Sequence, residues 1–348
     1  MPEVREPETT NTTELSAAVE HRSRRLAAVA FVRGAALLPV LVVLLIIGSA
    51  VSSDFFTTSN LAGVGQQISA LGVVVVGESL IIMVGGMDLS LESTFGLAPM
   101  VAAWLMVPVA AYGAGTMWGP VLGILVLLGV GAIVGLINGV MIVKARLNGF
   151  IFTLAMTIIL AGIQDGMVNG QSLFNLPAAF TYVGAAYVGK IPVSLLVTAA
   201  IFIVVGLFLR YHRVGRDIYA VGGNREAARA AGVRVDRVRI GVYVAGGVLA
   251  AIGGLMEAGR VSSVASTQGY QEGIIFNVFA AAVIGGVSLR GGRGGMLGAA
   301  CGVVLLGLVQ NILDLGNVSN YWIEAIDGGV ILLALMMARV VGGEVTAE

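Results

Sequence analysis

The sequence has a single cysteine, Cys301, so no internal disulfide can form, and its apolar surroundings mark it as a packing residue. Histidine is almost missing. His21 and His212 are the whole complement, too few and too far apart for a paired-histidine metal site. Neither a Gly-x-Ser-x-Gly nucleophile elbow nor a His-Glu-x-x-His element occurs, which removes two common hydrolytic signatures. Charge is scarce as well: 11% of residues are Asp, Glu, Lys or Arg, against about 25% in soluble domains. The 20 basic and 20 acidic side chains cancel, leaving no electrostatic footprint for nucleic acid. No cofactor bound by this chain is expected.

What fills the space is apolar. Hydrophobic residues make up 57% of the chain, glycines number 50, and the mean hydropathy is +0.94. These values predict an all-α, polytopic membrane protein. A bilayer core of about 30 Å needs about 20 apolar residues per helix. Cutting the chain at polar and Gly/Pro-rich breaks predicts ten spans, at 33–51, 61–84, 93–111, 119–143, 150–168, 191–210, 240–258, 274–288, 296–313 and 321–338. Glycines near 61–111 and 274–313 predict short, broken or re-entrant segments there. Small residues recur at helix-packing spacing in Gly131-x-x-x-Gly135-x-x-x-Gly139 and Gly298-x-x-x-Gly302, the pattern of close helix contacts rather than of a ligand site.

Basic residues in short loops are retained in the cytoplasm. With the N-terminus inside, ten spans put every Lys and Arg except Lys190 and Arg260 on the cytoplasmic side. Both termini are therefore expected inside, in a bacterial inner membrane. The polar stretch 1–32 reads as a disordered cytoplasmic tail rather than a leader, its charged region being too long. Residues 33–340 form the membrane domain, and 341–348 a short C-terminal tail.

Polar groups inside a membrane are expensive and so are functional candidates. Glu78 falls within the second span, Asp88 and Ser90 follow the Gly85-Gly86 break, and Asn138 and Asn277 lie in or at the ends of later spans. Scattered donors and acceptors of modest strength suit a pore for a neutral, hydroxyl-rich solute. A structural role competes for each: Asp88 as a cap for the helix near Leu91, the asparagines as bonds between helices. Gln66-Gln67 stand in the outer half of their span, and Glu257, Glu324 and Asp327 near outer, watered ends, where a delivery protein could touch them. Gly184–Ile191 imitates the start of a phosphate-binding loop, but Ile191 replaces the Ser/Thr that ligates magnesium and Pro192 follows. No nucleotide site is expected there.

The longest charged loop, 211–239, contains all but the last residue of "AVGGNREAARAAGVRVDRVRI" (Ala220–Ile240). Asn224 is a good N-cap, Arg225–Ala231 favour helix, and Gly232 is a natural C-cap, so a two-turn cytoplasmic helix is predicted. Contact with anionic lipid headgroups is the plain reading of so many arginines. The run Glu226-Ala227-Ala228-x-x-x-Gly232 resembles the cytoplasmic motif of binding-protein-dependent ABC transporter permeases. "VGGMDLSLEST" (Val84–Thr94), "INGVMIVKARLNGFIFTLAMTIILAGI" (Ile137–Ile163) and "FAAAVIGGVSLRGGRGGMLGA" (Phe279–Ala299) resemble segments of its monosaccharide branch, the ribose, xylose, arabinose and galactose type. The chain departs from that pattern at Glu92-Ser93, at Asn148-Gly149 in place of a double proline, and at Asn277 where an acidic residue often stands.

The resemblance implies a non-enzymatic transport subunit that carries a small sugar inward. Its implied partners are a cytoplasmic ATPase subunit holding ATP and magnesium, an extracytoplasmic sugar-binding protein, a second permease copy and membrane lipid. Gly223, Asn224, Arg225, Glu226, Ala227, Ala228, Arg229 and Gly232 would then couple to the ATPase. The alternatives are an ion-coupled secondary transporter, with Glu78 or Asp88 titrating, and a relative carrying a nucleoside or branched-chain amino acid.

Overall fold

The computed structural model describes residues 37–319, Glu272 excepted, and single residues between 321 and 336. The tails at 1–32 and 341–348, Glu324, Asp327 and half of the tenth expected span lie outside the described residues.

Among the described residues, nine apolar helices coincide with the first nine expected spans. Six are long enough to cross a membrane: α2 (Thr58–Met83), α4 (Pro120–Val143), α5 (Gly149–Val168), α7 (Val193–Tyr211), α10 (Val235–Val261) and α12 (Met296–Leu315). Three are shorter: α1 (Leu37–Val51), α3 (Leu91–Met106) and α11 (Ile274–Ile284). The remaining helices are α6 (Ala178–Ala185), α8 (Arg213–Gly223) and α9 (Arg225–Ala230), with a two-residue hairpin of β1 (Tyr187–Val188) and β2 (Ile191–Pro192). That hairpin occupies the stretch imitating a phosphate-binding loop, and no helix opens on its Lys190.

The bundle is organised around α2 and α10. Val73, Val74, Val75 and Val76 are consecutive and all fully buried, so α2 is covered on every side, the behaviour of a helix that is apolar all round. By contrast α4 and α7 leave much of their apolar surface exposed, as lipid-facing helices do. Glycines set how near α10 comes to its neighbours. A Cβ at Gly247 would overlap the Gly131 carbonyl, one at Gly135 the Tyr243 carbonyl, and one at Gly139 would meet Ile240. The Gly131–Gly139 ladder is thus the α4 face of the α4/α10 contact, and Gly298 and Gly302 serve α12 against the end of α11 in the same way.

Both glycine-rich breaks form. The first helix of each pair ends, a glycine at positive φ turns the chain (Gly85 at 70°, Gly286 at 84°), and the chain re-enters a helix a few residues on. Their sequences match as Gly85-Gly86-x-Asp88-Leu89 and Gly285-Gly286-x-Ser288-Leu289. They also meet: the Gly292 N–H donates to the Met83 carbonyl at 2.9 Å. Expected span 93–111 ends early, at Met106, because Pro108 lacks an N–H and disfavours helix in the residue before it. Within α3, Pro99 deprives the Phe95 carbonyl of its intrahelical donor. Gln268 Nε2 reaches that carbonyl at 3.5 Å from the loop after α10.

Candidate functional site

Four of the five pore candidates come together. Asp88 is the hub: its Oδ1 accepts from the Ser90 N–H at 2.9 Å and the Ser90 hydroxyl at 2.7 Å, and its Oδ2 accepts from Asn138 Nδ2 at 2.8 Å. Asn138 Nδ2 also donates to Ser90 Oγ at 2.7 Å, and Glu78 Oε1 accepts from the Asp88 N–H at 3.3 Å. All four are buried, none more than 1% exposed. The α4 ladder explains how Asn138 arrives: it shares a helix face with Gly131 and Gly135, so the close α4/α10 approach drives it inward. Two more side chains, neither singled out by sequence, secure the break. Thr153 Oγ1 accepts from the Leu89 N–H at 3.1 Å, and the Tyr243 hydroxyl donates to the Met87 carbonyl at 3.4 Å.

The arrangement is a knot that ties the α2–α3 break to α4, α5 and α10. Glu78, Asp88, Ser90 and Asn138 line neither of the two cavities described below, whereas Tyr243 faces the larger one. The knot's inventory of donors is short, since Glu78 Oε2 and Asn138 Oδ1 have no partner.

Asn277 stands apart from the knot. It is half-buried on α11 and lines a cavity of about 360 Å³ with Gln67, Phe95, Gln310 and the Glu257–Arg260 pair. That volume lies in the usual range for small-molecule sites, about 300–1,000 Å³. Its polar lining is mostly neutral amides, and its two charges satisfy each other: Arg260 Nη2 donates to Glu257 Oε1 at 2.6 Å and Nε to Oε2 at 2.9 Å. Gln66, next to Gln67, is engaged elsewhere, donating to the Gly184 carbonyl at 2.9 Å and accepting from Tyr187. Gln310 and Phe95 were not singled out by sequence: Gln310, a polar residue in an apolar run, carried the same signal as the asparagines, whereas Phe95 is an ordinary residue within an apolar helix. The loop that roofs this end is held by Gln164, whose Nε2 donates to the Ser266 carbonyl at 2.7 Å.

At the opposite end lies the arginine-rich loop. Asn224 caps α9 with Oδ1, which accepts from the N–H groups of Glu226 at 2.9 Å and Ala227 at 3.0 Å, and Gly232 turns the chain at φ 81°. Gly223, Asn224, Arg225, Glu226, Ala227 and Arg229 are exposed, and Ala228 alone packs inward. Arg225 Nη2 donates to the Gly85 carbonyl at 2.7 Å, which joins α9 directly to the break that carries Asp88. Sequence reading missed α8, whose polar composition hides three inward positions, Gly215, Ile218 and Val221. Tyr219 on α8 donates to the Gly294 carbonyl at 3.0 Å, and burial pushes its hydroxyl above the ordinary phenol range.

Residues 60–335 match the family model described as the branched-chain amino acid transport system permease component. The chain belongs to that permease family. The ribose import permease protein of Escherichia coli K12 is 35% identical over 85% of this permease and 91% of its own length. An L-arabinose transporter permease of Azospirillum brasilense is 33% identical over 81% and 80%, and a galactose/methyl galactoside import permease of Salmonella typhimurium 31% over 86% and 91%. No solved structure matches the permease. Family and apolar helices together make it a multi-pass membrane protein and a permease component of a transport system.

Proposed function

We propose that this permease is the membrane-spanning subunit of an ATP-driven importer that passes a small sugar, a pentose or similar monosaccharide, into the cytoplasm. The reading rests on one observation above others: the exposed, capped helix α9 is bonded through Arg225 to the Gly85 carbonyl, three residues before Asp88. An element that stands outside the bundle yet grips a half-buried break is placed to carry force inward. In this reading α9 docks on a separate ATPase subunit, which holds ATP and magnesium, while a sugar-binding protein delivers solute at the Glu257 end. Two permease copies form the pore. ATP-driven closure of the ATPase moves α9, shifts the break and opens the bundle outward.

The names of the ribose, arabinose and galactose relatives support a sugar. So does the chemistry of the Asn277 cavity, since neutral amides beside an aromatic ring bind hydroxyls and a sugar's apolar face without holding them tightly. An amino-acid zwitterion would need unpaired charges, whereas Glu257 and Arg260 are committed to each other.

The test is uptake into proteoliposomes containing the permease, its ATPase and its binding protein. Uptake should require internal ATP and persist with a proton or sodium ionophore. Uptake without the ATPase that collapses with ionophore would instead mark an ion-coupled carrier, for which Glu78 and Asp88, with Glu92, are the buried carboxyls among the described residues.

A further inference from the structure

Between the α2–α3 break, the α4–α5 turn and the start of α10 lies the larger cavity, about 820 Å³, on the same end of the molecule as α9. Four guanidiniums line it, those of Arg146, Arg225, Arg229 and Arg239, against two carboxylates, Glu226 and Asp236. Asp236 is already taken: Lys144 Nζ donates to Oδ2 at 2.8 Å and Arg229 Nη2 to Oδ1 at 3.4 Å. Among the described residues no carboxylate lies within ion-pair distance of Arg146, Arg225 or Arg239, and the Nε of Arg239 is buried with no hydrogen-bond acceptor. A buried guanidinium N–H without an acceptor is costly, and like charges facing one cavity add to the cost. Charges disposed this way are completed by an anion.

We propose that this pocket binds a phosphate group, held by Arg146, Arg225 and Arg239. Forked guanidinium donors match phosphate oxygens in pairs, so three arginines around one cavity suit a tetrahedral oxyanion better than a single carboxylate. Phosphate of this kind comes from the headgroup of an anionic phospholipid or from a soluble phosphate ester. The rim favours the lipid. Leu147 and Phe150 line the same pocket yet are 44% and 51% exposed, so acyl chains can lie on them while the headgroup reaches the arginines. Because Arg225 also holds the Gly85 carbonyl, an occupied pocket would stiffen the seat of α9 whatever solute the permease carries.

The test is thermal unfolding of the full-length permease in neutral detergent, with added phosphatidylglycerol, phosphatidylcholine or inorganic phosphate at matched ionic strength. Phosphatidylglycerol alone should raise the midpoint by about 3 °C or more, the ordinary response to a saturating ligand. A rise with inorganic phosphate in the absence of lipid identifies the soluble source. Either rise must disappear in Arg239→Gln and in Arg146→Gln, whose side chain is exposed. No rise in any arm, an equal rise with phosphatidylcholine, or a rise that survives both substitutions overturns the proposal. The readout involves no transport, so it stands or falls separately from the importer reading.

Discussion

At the scale of single residues, the candidate polar groups fall into two kinds with opposite expected behaviour. Asn138 is sealed in the bundle and supplies the side-chain donor to Asp88 Oδ2. Asn138→Ala strands a buried carboxylate oxygen and should cost about 1–3 kcal/mol of stability, read as a lowered unfolding midpoint. Asn277 lines an open cavity and is half-buried. Asn277→Ala should leave the midpoint nearly unchanged and raise the KM for uptake about 3- to 10-fold, the effect of one lost hydrogen bond. If both variants lose stability equally and neither alters KM, the cavity is not the solute path. Sequence inspection found both asparagines because a polar residue in an apolar run is visible locally. It could not sort them, since Asn138 meets Asp88 across 50 positions of chain and only the helix packing joins them.

At the scale of elements, contact distance is written in glycine. A Cβ at Gly247 overlaps the Gly131 carbonyl, while Gly241 on the same helix has open space around it. Gly247→Ala should therefore push α10 off α4 and cost about 1–3 kcal/mol. Gly241→Ala should be neutral or gain up to about 1 kcal/mol from helix propensity. Chemical or thermal unfolding of the two variants side by side checks this. For α9 the expectation concerns coupling. Asn224→Ala removes both cap bonds, about 1 kcal/mol for that short helix, and should lower ATP-dependent uptake while the sugar's affinity for its binding protein stays the same. The cap was legible because Asn, helix formers and Gly follow one another within nine residues. Helix α8 was not: a polar stretch becomes helical there because Ile218 and Val221 find the bundle, a tertiary opportunity that composition does not announce.

At the scale of the whole molecule, the sequence makes a statement about sidedness that the lone cysteine makes testable. In a Cys301→Ser background, Lys190→Cys at the hairpin should react with a membrane-impermeant thiol reagent in intact cells. Glu226→Cys on α9 should react only after the cells are opened. The reverse pattern would invert the bundle and remove α9 from the reach of a cytoplasmic ATPase. Both positions are exposed, so accessibility rather than burial decides the result.

The positions of nine apolar helices, the two breaks, the helix at α9 and its caps were determined by the sequence alone. Each depends on neighbours within one or two turns: apolar length, glycine at positive φ, a capping side chain. Only the tertiary structure decided that Glu78, Asp88, Ser90 and Asn138 make one closed knot while Asn277 joins Gln67, Phe95 and Gln310 around an open cavity. Only it gathered Arg146, Arg225 and Arg239 around a common space. The reason is physical: hydropathy fixes which face of a helix leaves water or lipid, but which polar groups then meet depends on how closely the helices approach, and here backbone contact at glycine sets that approach.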